Sequence, residues 1–330
     1  MGTNEKFVLF IILCFTLIFQ DGFVVEGLTF SREEEIELDK QLMLLNKPSI
    51  QIIHTEHGDI FDCVDINKQP AFDHPLLSNH TIQMRPSSYP KGWKEKTHPP
   101  YNSIQIGFPS DGCPLGTVPI RRTQTEELIG SNYMWKSSHA LDFLPKNFTN
   151  DGDAYFAVLK TADEMAYYGA SAHLNVYGLP DLSINQSSSV QIGVQNDRDG
   201  IEAGWGDKKT GDWWFQLGGY ELVGYWPKSL FNALSDHATT AYTGGAAYKT
   251  GSTLAPPMGN GHYPTLDPET DGACVIQGFR VLNEEHKSFS PLPYRWNTYE
   301  TRRECYMVDL PRFSTALVDY TFGFGGPGGC

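Results

Sequence analysis

The segment Trp213–Trp226 reads WWFQLGGYELVGYW, and this segment decides the fold class. Two short aromatic runs, Trp213–Leu217 and Tyr220–Tyr225, flank a glycine pair, which is typical of short β-strands punctuated by glycine. Other runs of this kind follow residue 153, namely Tyr155–Leu159, Ala170–Tyr177, Val190–Gln195, Val275–Leu282 and Thr315–Phe324. The pattern predicts a mainly β fold, with an antiparallel β-sandwich in the second half of the chain.

The composition agrees with this fold class. The 330 residues include 32 Gly and 21 Pro, and 13% are aromatic, which excludes a coiled coil, a long-helix bundle and a disordered acidic chain. The formal charge is −14 and no basic run occurs. An acidic surface without basic clusters argues against nucleic acid as a partner.

The first half of the chain has a different texture. Ser31 and Glu34 form a capping-box pattern, which predicts a helix over residues 32–46. The runs Ile50–His54 and Ile60–Asp65 flank a turn cluster and predict a hairpin. A proline-rich tract over 68–119 cannot be mainly helical, and residues 130–153 are typical of a linker. We therefore expect a small α+β region before the sandwich.

The N-terminus predicts the compartment. Lys6 precedes an apolar run of 13 residues, Phe7–Phe19, and small residues around Gly27 suit signal-peptide cleavage after that position. The alternatives are a buried helix or a retained anchor. Because no later apolar segment is long enough to span a bilayer, we expect a secreted chain without a membrane anchor after cleavage.

A secreted chain changes how its cysteines are interpreted. Cys14 would leave with the signal peptide, and five cysteines would remain with no zinc-site spacing, which predicts two disulfides and one unpaired thiol. The triplets that begin at Asn79, Asn147 and Asn185 are glycosylation acceptors if they are exposed.

Glu202 is the candidate catalytic carboxylate. It lies in the string IEAGW, Ile201–Trp205, where an inward glutamate beside tryptophan would have a raised pKa and suit acid–base chemistry. The alternative is an exposed glutamate in a turn. Acid–base catalysis by carboxyl groups also needs a second carboxylate, and Asp212 and Glu221 are near in sequence.

Nine strings together resemble the plant neprosin family of secreted glutamic peptidases. They are DCVD at 62–65, QPAFDHP at 69–75, CPLGTVPIRR at 113–122, IEAGW at 201–205, GDWW at 211–214, GYWP at 224–227, MGNGH at 258–262, CY at 305–306 and GGPGG at 325–329.

The resemblance implies a two-part precursor, with an activation domain over 28–150 and a β-sandwich peptidase domain over 151–330. It implies cleavage after proline at acid pH by two glutamates and an activated water, with no metal or organic cofactor. Glu202 matches the first glutamate. The resemblance implies a disulfide between Cys305 and Cys330, and Cys63 with Cys113 fits an activation-domain pair, which leaves Cys274 unplaced. Proline-containing peptides or proteins would be the substrates, in an extracellular or vacuolar setting.

The sequence departs from the family pattern at two places. The second glutamate of the family follows a Gly-Gly pair, and here Ala246 follows Gly244-Gly245. Relatives also carry a block after the glutamate-tryptophan strand, whereas here Trp205 runs through 206–211 straight into Asp212, so several sandwich strands are expected to be missing. Either the chain is a non-catalytic member, or the sequence is incomplete.

The second hypothesis is a non-catalytic secreted β-sandwich that binds protein or wall polysaccharide. It rests on aromatic side chains that could stack on sugars or prolines, or that could instead form the core: Trp205, Trp213, Trp214, Tyr220, Tyr225 and Trp226.

Overall fold

The computed structural model describes residues 24–25, 28–29, 31–91, 112–128 and 154–330, apart from short gaps at 57, 126–127, 163–164, 184–185, 198, 203, 219–220, 250–252, 266–272 and 316–318. The chain forms two compact units. The first comprises residues 1–70 and 108–129, and the second comprises residues 71–107 and 130–330.

The first unit contains the capped helix and a small sheet. Helix α1 runs over Arg32–Leu45, and its capping box is formed by Ser31 and Glu34, as the sequence predicts. The backbone N–H of Ser31 donates to Glu34 Oε2 at 2.8 Å, and the N–H of Glu34 donates to Ser31 Oγ at 3.3 Å. These bonds satisfy backbone donors that the first helical turn leaves unpaired.

The strands of the first unit pair antiparallel throughout. Strands β1 (Val24–Val25) and β2 (Leu28–Thr29) form one short ladder, and a three-stranded sheet consists of β3 (Ser49–His54), β4 (Ile60–Asp65) and β5 (Thr117–Arg121). A disulfide joins Cys63 of β4 to Cys113. The predicted hairpin over 50–65 is confirmed as β3 and β4.

The second unit contains two antiparallel sheets. The five-stranded sheet has the order β16-β6-β13-β8-β9, with β6 at Ala154–Thr161, β8 at Gln186–Asn196, β9 at Asp199–Glu202, β13 at Thr240–Lys249 and β16 at Trp296–Glu300. The nine-stranded sheet has the order β12-β11-β10-β7-β14-β19-β17, with β15 on β14 and β18 on β19. Its strands are β7 (Gly169–Leu174), β10 (Gly204–Gly206), β11 (Trp213–Leu217), β12 (Glu221–Trp226), β14 (Cys274–Leu282), β15 (Ser288–Phe289), β17 (Met307–Val308), β18 (Arg312–Ser314) and β19 (Asp319–Gly325).

One apolar core joins the two sheets into a β-sandwich. Alternate residues of β6, β8 and β13 point into it, and they meet side chains of β7, β11, β14 and β19. At the centre, a Cβ added to Gly245 of β13 would lie 2.5 Å from both Phe324 and Met258, so the sheets approach too closely there for a side chain. The predicted mainly β fold with an antiparallel sandwich is confirmed.

The short connection after Trp205 folds as a tight hairpin. The N–H of Asp207 donates to the carbonyl of Asp212 at 2.8 Å, and the N–H of Gly211 donates to the carbonyl of Asp207 at 2.7 Å. Strand β10 is therefore an interior strand, paired with both β7 and β11. Glu202, by contrast, ends β9, which stands at one side of the five-stranded order.

Two further local elements belong to the second unit. Residues 228–235 contain two separate 3₁₀ turns, Lys228–Leu230 and Ala233–Ser235. Strand β13, the central strand of the five-stranded sheet, was not predicted from the sequence, because TAYTGGAAYK is poor in strand-forming residues. The linker predicted at 130–153 lies wholly outside the described residues.

Candidate functional site

Glu202 lies on the outer face of the five-stranded sheet. It pairs with Gly193 of β8, and its neighbour Ile201 points into the core, so strand alternation directs Glu202 away from the core. The side chain is exposed. The expectation of an inward glutamate beside Trp205 is therefore wrong, because Trp205 lies in β10 of the other sheet. The alternative of an exposed glutamate is confirmed for its exposure, although Glu202 ends strand β9 and does not lie in a turn.

Ala246 occupies the same outer face. It pairs with Ser189 of β8, and Ser189 is four residues from Gly193, the partner of Glu202. With about 3.3 Å per residue along a strand and about 4.8 Å between strands, the α-carbons of Glu202 and Ala246 are roughly 16 Å apart on the sheet diagonal. The fold thus brings the two positions to one face, but residue 246 carries no carboxyl group.

The space above Ala246 is closed by its neighbours. Ala246 is 0% exposed and packs with the outer-face cluster Ala154, Phe156, Val158 and Tyr248. Gln191 hydrogen-bonds the Tyr248 hydroxyl, and its Nε2 also donates to Ser189 Oγ at 3.2 Å. Burial raises the pKa of Tyr248, and the Glu202 charge raises it further, while the bond from Gln191 acts in the opposite direction.

Tyr242 is the aromatic side chain that stands in the Glu202 row. It pairs with Gly193 from β13, and Glu202 pairs with Gly193 from β9, so the three residues cross the sheet in line. Burial raises the pKa of Tyr242 well above its usual range, and the charge of Glu202 raises it further. Sequence reasoning missed this residue, because the strand that carries it was not recognised.

The outer face of the nine-stranded sheet carries a different group of residues. Trp205 and Trp214 pack there with Leu282 and with Tyr89, Tyr168, Leu222 and Tyr225. Trp205, Trp213 and Trp214 are at most 2% exposed. The interpretation of these tryptophans as core is therefore correct, and none of the three presents a ring for stacking on a sugar.

Residues 80–91, which we call the strap, are bound to this face by side chains. The Tyr225 hydroxyl contacts His80 Nε2 at 2.7 Å and accepts from the N–H of Gln83 at 2.9 Å. Gln83 Nε2 donates to Asp212 Oδ2 at 2.6 Å, so Asp212 has a structural contact on this face and does not meet Glu202. Glu221 begins β12 of the same sheet.

Asp207 is the principal anchor of the strap. Asp207 is 1% exposed, and its carboxylate accepts from the backbone N–H and the hydroxyl of both Ser87 and Ser88. A further bond comes from the N–H of Lys209 at 3.0 Å. Burial alone would raise the pKa of Asp207, but the bonds from Ser88, Lys209 and Ser87 outweigh it and lower the pKa.

The cysteines of the second unit have distinct states. A disulfide joins Cys305 to Cys330, with the α-carbons 6.3 Å apart. Cys274 is a free buried cysteine whose Sγ contacts the carbonyl of Asn175 at 3.2 Å. Burial raises the pKa of the Cys274 thiol to about 12, so the thiolate that reacts with electrophiles is scarce at neutral pH.

Of the three candidate glycosylation positions, the structure describes only Asn79. Asn79 is exposed, whereas Asn147 and Asn185 lie outside the described residues. Within the described ranges, no group of three or more His, Cys, Asp or Glu side chains is placed to hold a metal ion. No helix in those ranges is long and apolar enough to cross a membrane.

Two protein-family models match the chain. A model described as the neprosin activation peptide matches residues 52–159, and a model described as neprosin matches residues 182–327. The strap lies inside the activation-peptide match although it belongs to the second compact unit, and the first residues of β6 lie inside the same match.

Proposed function

The chain belongs to the neprosin family of secreted peptidases, and on this premise we propose that it is a proline-directed glutamic endopeptidase in which Glu202 activates the attacking water. The observation that carries the proposal is the exposed carboxylate of Glu202 on the sheet face that also holds residue 246. An extended peptide laid across this face would present its scissile bond to that carboxylate.

The chemistry needs two functions at the scissile bond. A carboxylate removes a proton from water as the water oxygen attacks the carbonyl carbon, and a donor stabilises the developing oxyanion. The protonated carboxylate then returns the proton to the leaving nitrogen. In this chain Ala246 can neither donate nor ionise. We therefore propose that turnover falls below that of a two-glutamate site, by on the order of 10³-fold for the loss of one cooperating group.

We further propose the domain organisation of a secreted precursor. Residues 1–27 would be the signal peptide, 28–150 the activation domain and 151–330 the peptidase domain. Glycosylation at Asn79, Asn147 and Asn185 and a secreted or vacuolar location belong to the same proposal. Mass spectrometry of the protein purified from a secretory host tests these positions directly.

The experiment uses the full chain, before and after acid incubation. A peptide with one internal proline is compared with the same peptide carrying alanine there, from pH 3 to pH 7. We expect slow cleavage after proline by the wild type and none by Glu202→Gln. Turnover that survives in Glu202→Gln would sink the assignment of Glu202. Peptide binding without any turnover would favour the non-catalytic binding protein.

A further inference from the structure

The row Tyr242–Gly193–Glu202 crosses three neighbouring strands of the outer face. An ideal Cβ on Gly193 would lie 2.3 Å from both Cζ and Oη of Tyr242. The phenol end of Tyr242 therefore lies over the α-carbon of Gly193, with Glu202 on the other side. Because the Cβ atoms of paired residues are about 4.5–5.5 Å apart, the Tyr242 hydroxyl is within about 8 Å of the Glu202 Cβ.

Gly193 is required for this arrangement by its lack of a side chain. Its φ is not in the left-handed region, so backbone conformation does not explain the glycine. Any side chain on the outer face at residue 193 would occupy the volume that the Tyr242 ring fills. The glycine thus lets a residue on β13 reach across β8 to the edge strand that carries Glu202.

Position 246, in contrast, cannot receive a reacting group. Gln191 and Tyr248 lie on either side of the Ser189–Ala246 pair along their strands, and Ala246 is 0% exposed. Ser189 Oγ also donates to the carbonyl of Ala246 at 3.5 Å. The volume that a second glutamate would need is occupied, so a donor for Glu202 chemistry must come from another residue.

We propose that Tyr242 is a second catalytic residue of this site, and that its hydroxyl donates a hydrogen bond to the scissile carbonyl oxygen in place of a carboxylic acid. The proposal rests on the proposed role of Glu202. Glu202 takes the proton of water, the water oxygen bonds to the carbonyl carbon, and Tyr242 stabilises the oxyanion. Glu202 then gives its proton to the leaving nitrogen as the C–N bond breaks.

A phenol donor implies a pH profile that a carboxyl pair does not give. Besides Glu202, the titratable groups on the described strands of this face are Tyr242 and Tyr248 of β13, Lys160 of β6, which pairs with Tyr242, and Tyr299 of β16, whose ring centroid is 6.0 Å from Lys160 Nζ. Because burial holds the pKa of Tyr242 far above neutral, its hydroxyl stays protonated throughout the assayed pH range. We expect kcat/KM to rise once with pH and then to stay level through pH 8, whereas a carboxyl pair gives a bell.

The first test replaces the hydroxyl alone. Tyr242→Phe is expected to lower kcat on the proline peptide by about 10²–10³-fold, the usual effect of losing one oxyanion donor, with KM changed less than twofold. Tyr155→Phe is the matched control, since Tyr155 is similarly buried but points into the core. An unchanged kcat in Tyr242→Phe, or a loss of the same size in Tyr155→Phe, overturns the proposal.

The second test displaces the ring and keeps the hydroxyl. Gly193→Ala is expected to lower kcat by at least tenfold, because the new methyl group occupies the place of the Tyr242 ring. Circular dichroism establishes that the variant is folded. A folded Gly193→Ala enzyme with unchanged kcat contradicts the placement of the Tyr242 hydroxyl.

A binding measurement separates the failure of this proposal from the failure of the proposed function. Calorimetry compares a peptide with a phosphinate at the scissile position, which mimics the tetrahedral intermediate, with the unmodified peptide. Tyr242→Phe should weaken the phosphinate by at least tenfold and leave the unmodified peptide unchanged. If the wild type shows no turnover, the proposed peptidase function fails. In that case the ratio of the phosphinate affinity to the unmodified-peptide affinity tests the oxyanion contact of Tyr242 by itself. A ratio that is the same in the wild type and in Tyr242→Phe overturns the proposal for Tyr242.

Discussion

The two outer faces of the sandwich are opposite in character. On the nine-stranded sheet the strap packs against the outer face, and the buried carboxylates Asp207 and Asp212 accept hydrogen bonds from strap residues and from the backbone N–H groups of Lys209 and Lys228. The outer face of the five-stranded sheet carries the exposed Glu202 on an edge strand and small or polar residues on β8. Asp207 and Asp212 are thus enclosed by donors, whereas Glu202 is exposed.

The comparison separates a carboxylate that stabilises the fold from a carboxylate that is a candidate for catalysis. A buried carboxylate that accepts several backbone and hydroxyl bonds is held in one geometry, and its removal leaves buried donors unpaired. An exposed carboxylate on an edge strand contributes little to stability and is free to meet water. Asp207 is the buried and hydrogen-bonded carboxylate of this comparison, and Glu202 is the exposed one. Substitutions at both residues test the comparison.

The largest expected effect is on the strap face. Asp207→Ala should lower the free energy of unfolding by about 3–5 kcal/mol, because it removes a buried charge and leaves the donors of Ser87, Ser88 and Lys209 without an acceptor. Urea denaturation measures this change. Glu202→Gln is the matched substitution on the other face and should change stability by less than about 0.5 kcal/mol. Equal effects at the two positions would abolish the contrast.

The next effect concerns the closed position on the Glu202 face. Ala246→Glu should destabilise the protein by about 2–3 kcal/mol at pH 7, because the new side chain overpacks a filled site and buries a carboxylate beside Phe156 and Tyr248. Such a carboxyl has a raised pKa, so the charge-dependent part of the cost appears as pH rises above about 4.3 and is absent below it.

Ala246→Gln isolates the packing cost of that substitution. Glutamine has nearly the same shape without the charge, so its destabilisation should not vary between pH 3 and pH 7. Thermal unfolding of both variants across this range makes the comparison. Wild-type stability in Ala246→Glu at pH 7 would mean that the site is open, and the described packing above Ala246 would then be incorrect.

The contribution of Asp207 to the stability of the strap is expected to depend on pH. The pKa of Asp207 is lowered from 3.8 in the folded protein, so its stabilisation is complete above that value. As pH falls through the lower, folded pKa, the stabilisation is lost. The protection factors for hydrogen exchange at the amides of Ser87 and Ser88, taken relative to an unfolded chain at the same pH, should therefore fall only below about pH 4. A fall in these protection factors near pH 6 would exclude Asp207 as its cause.

The smallest effect is that of a single neutral hydroxyl. Tyr225→Phe removes the acceptor for the N–H of Gln83 and the contact with His80, and it should cost about 1 kcal/mol. The stacking of the ring on Trp214, with centroids 4.6 Å apart, is retained. Urea denaturation measures this change in the free energy of unfolding. A loss as large as that of Asp207→Ala would show that the strap depends on Tyr225 rather than on the buried carboxylate.

Much of the local structure could be predicted because its signals are local. The capping box at Ser31 and Glu34 gave the helix start, and aromatic runs between glycines gave the strands β11, β12 and β14. Strand β13 was not predicted, because glycine and alanine stand where strands usually carry bulky residues. Both of its faces are buried, and at Gly245 the opposing sheet leaves no room for a side chain. The alternation of Thr, Ala and Tyr at its start was the available signal.

The candidate site divides in the same way. Residue type and the neighbouring string single out Glu202 as a candidate, and alanine follows the Gly-Gly pair where the family resemblance implies a second glutamate. The alignment of Tyr242 with Glu202 could not be predicted, because it depends on the register of both β9 and β13 on β8. Tyr242 and Gly193 are far apart in sequence, and nothing in either string refers to the other.

Residue types over a few positions are enough to predict the fold class, the helix cap and Glu202 as a candidate carboxylate. The outward direction of Glu202, the burial of Ala246 and the hydrogen bonds between Asp207 and the strap depend on tertiary pairing and could not be predicted. The physical reason is that burial, pairing and reach are set by strands distant in sequence, and the same carboxylate is structural or reactive according to which donors those strands bring to it.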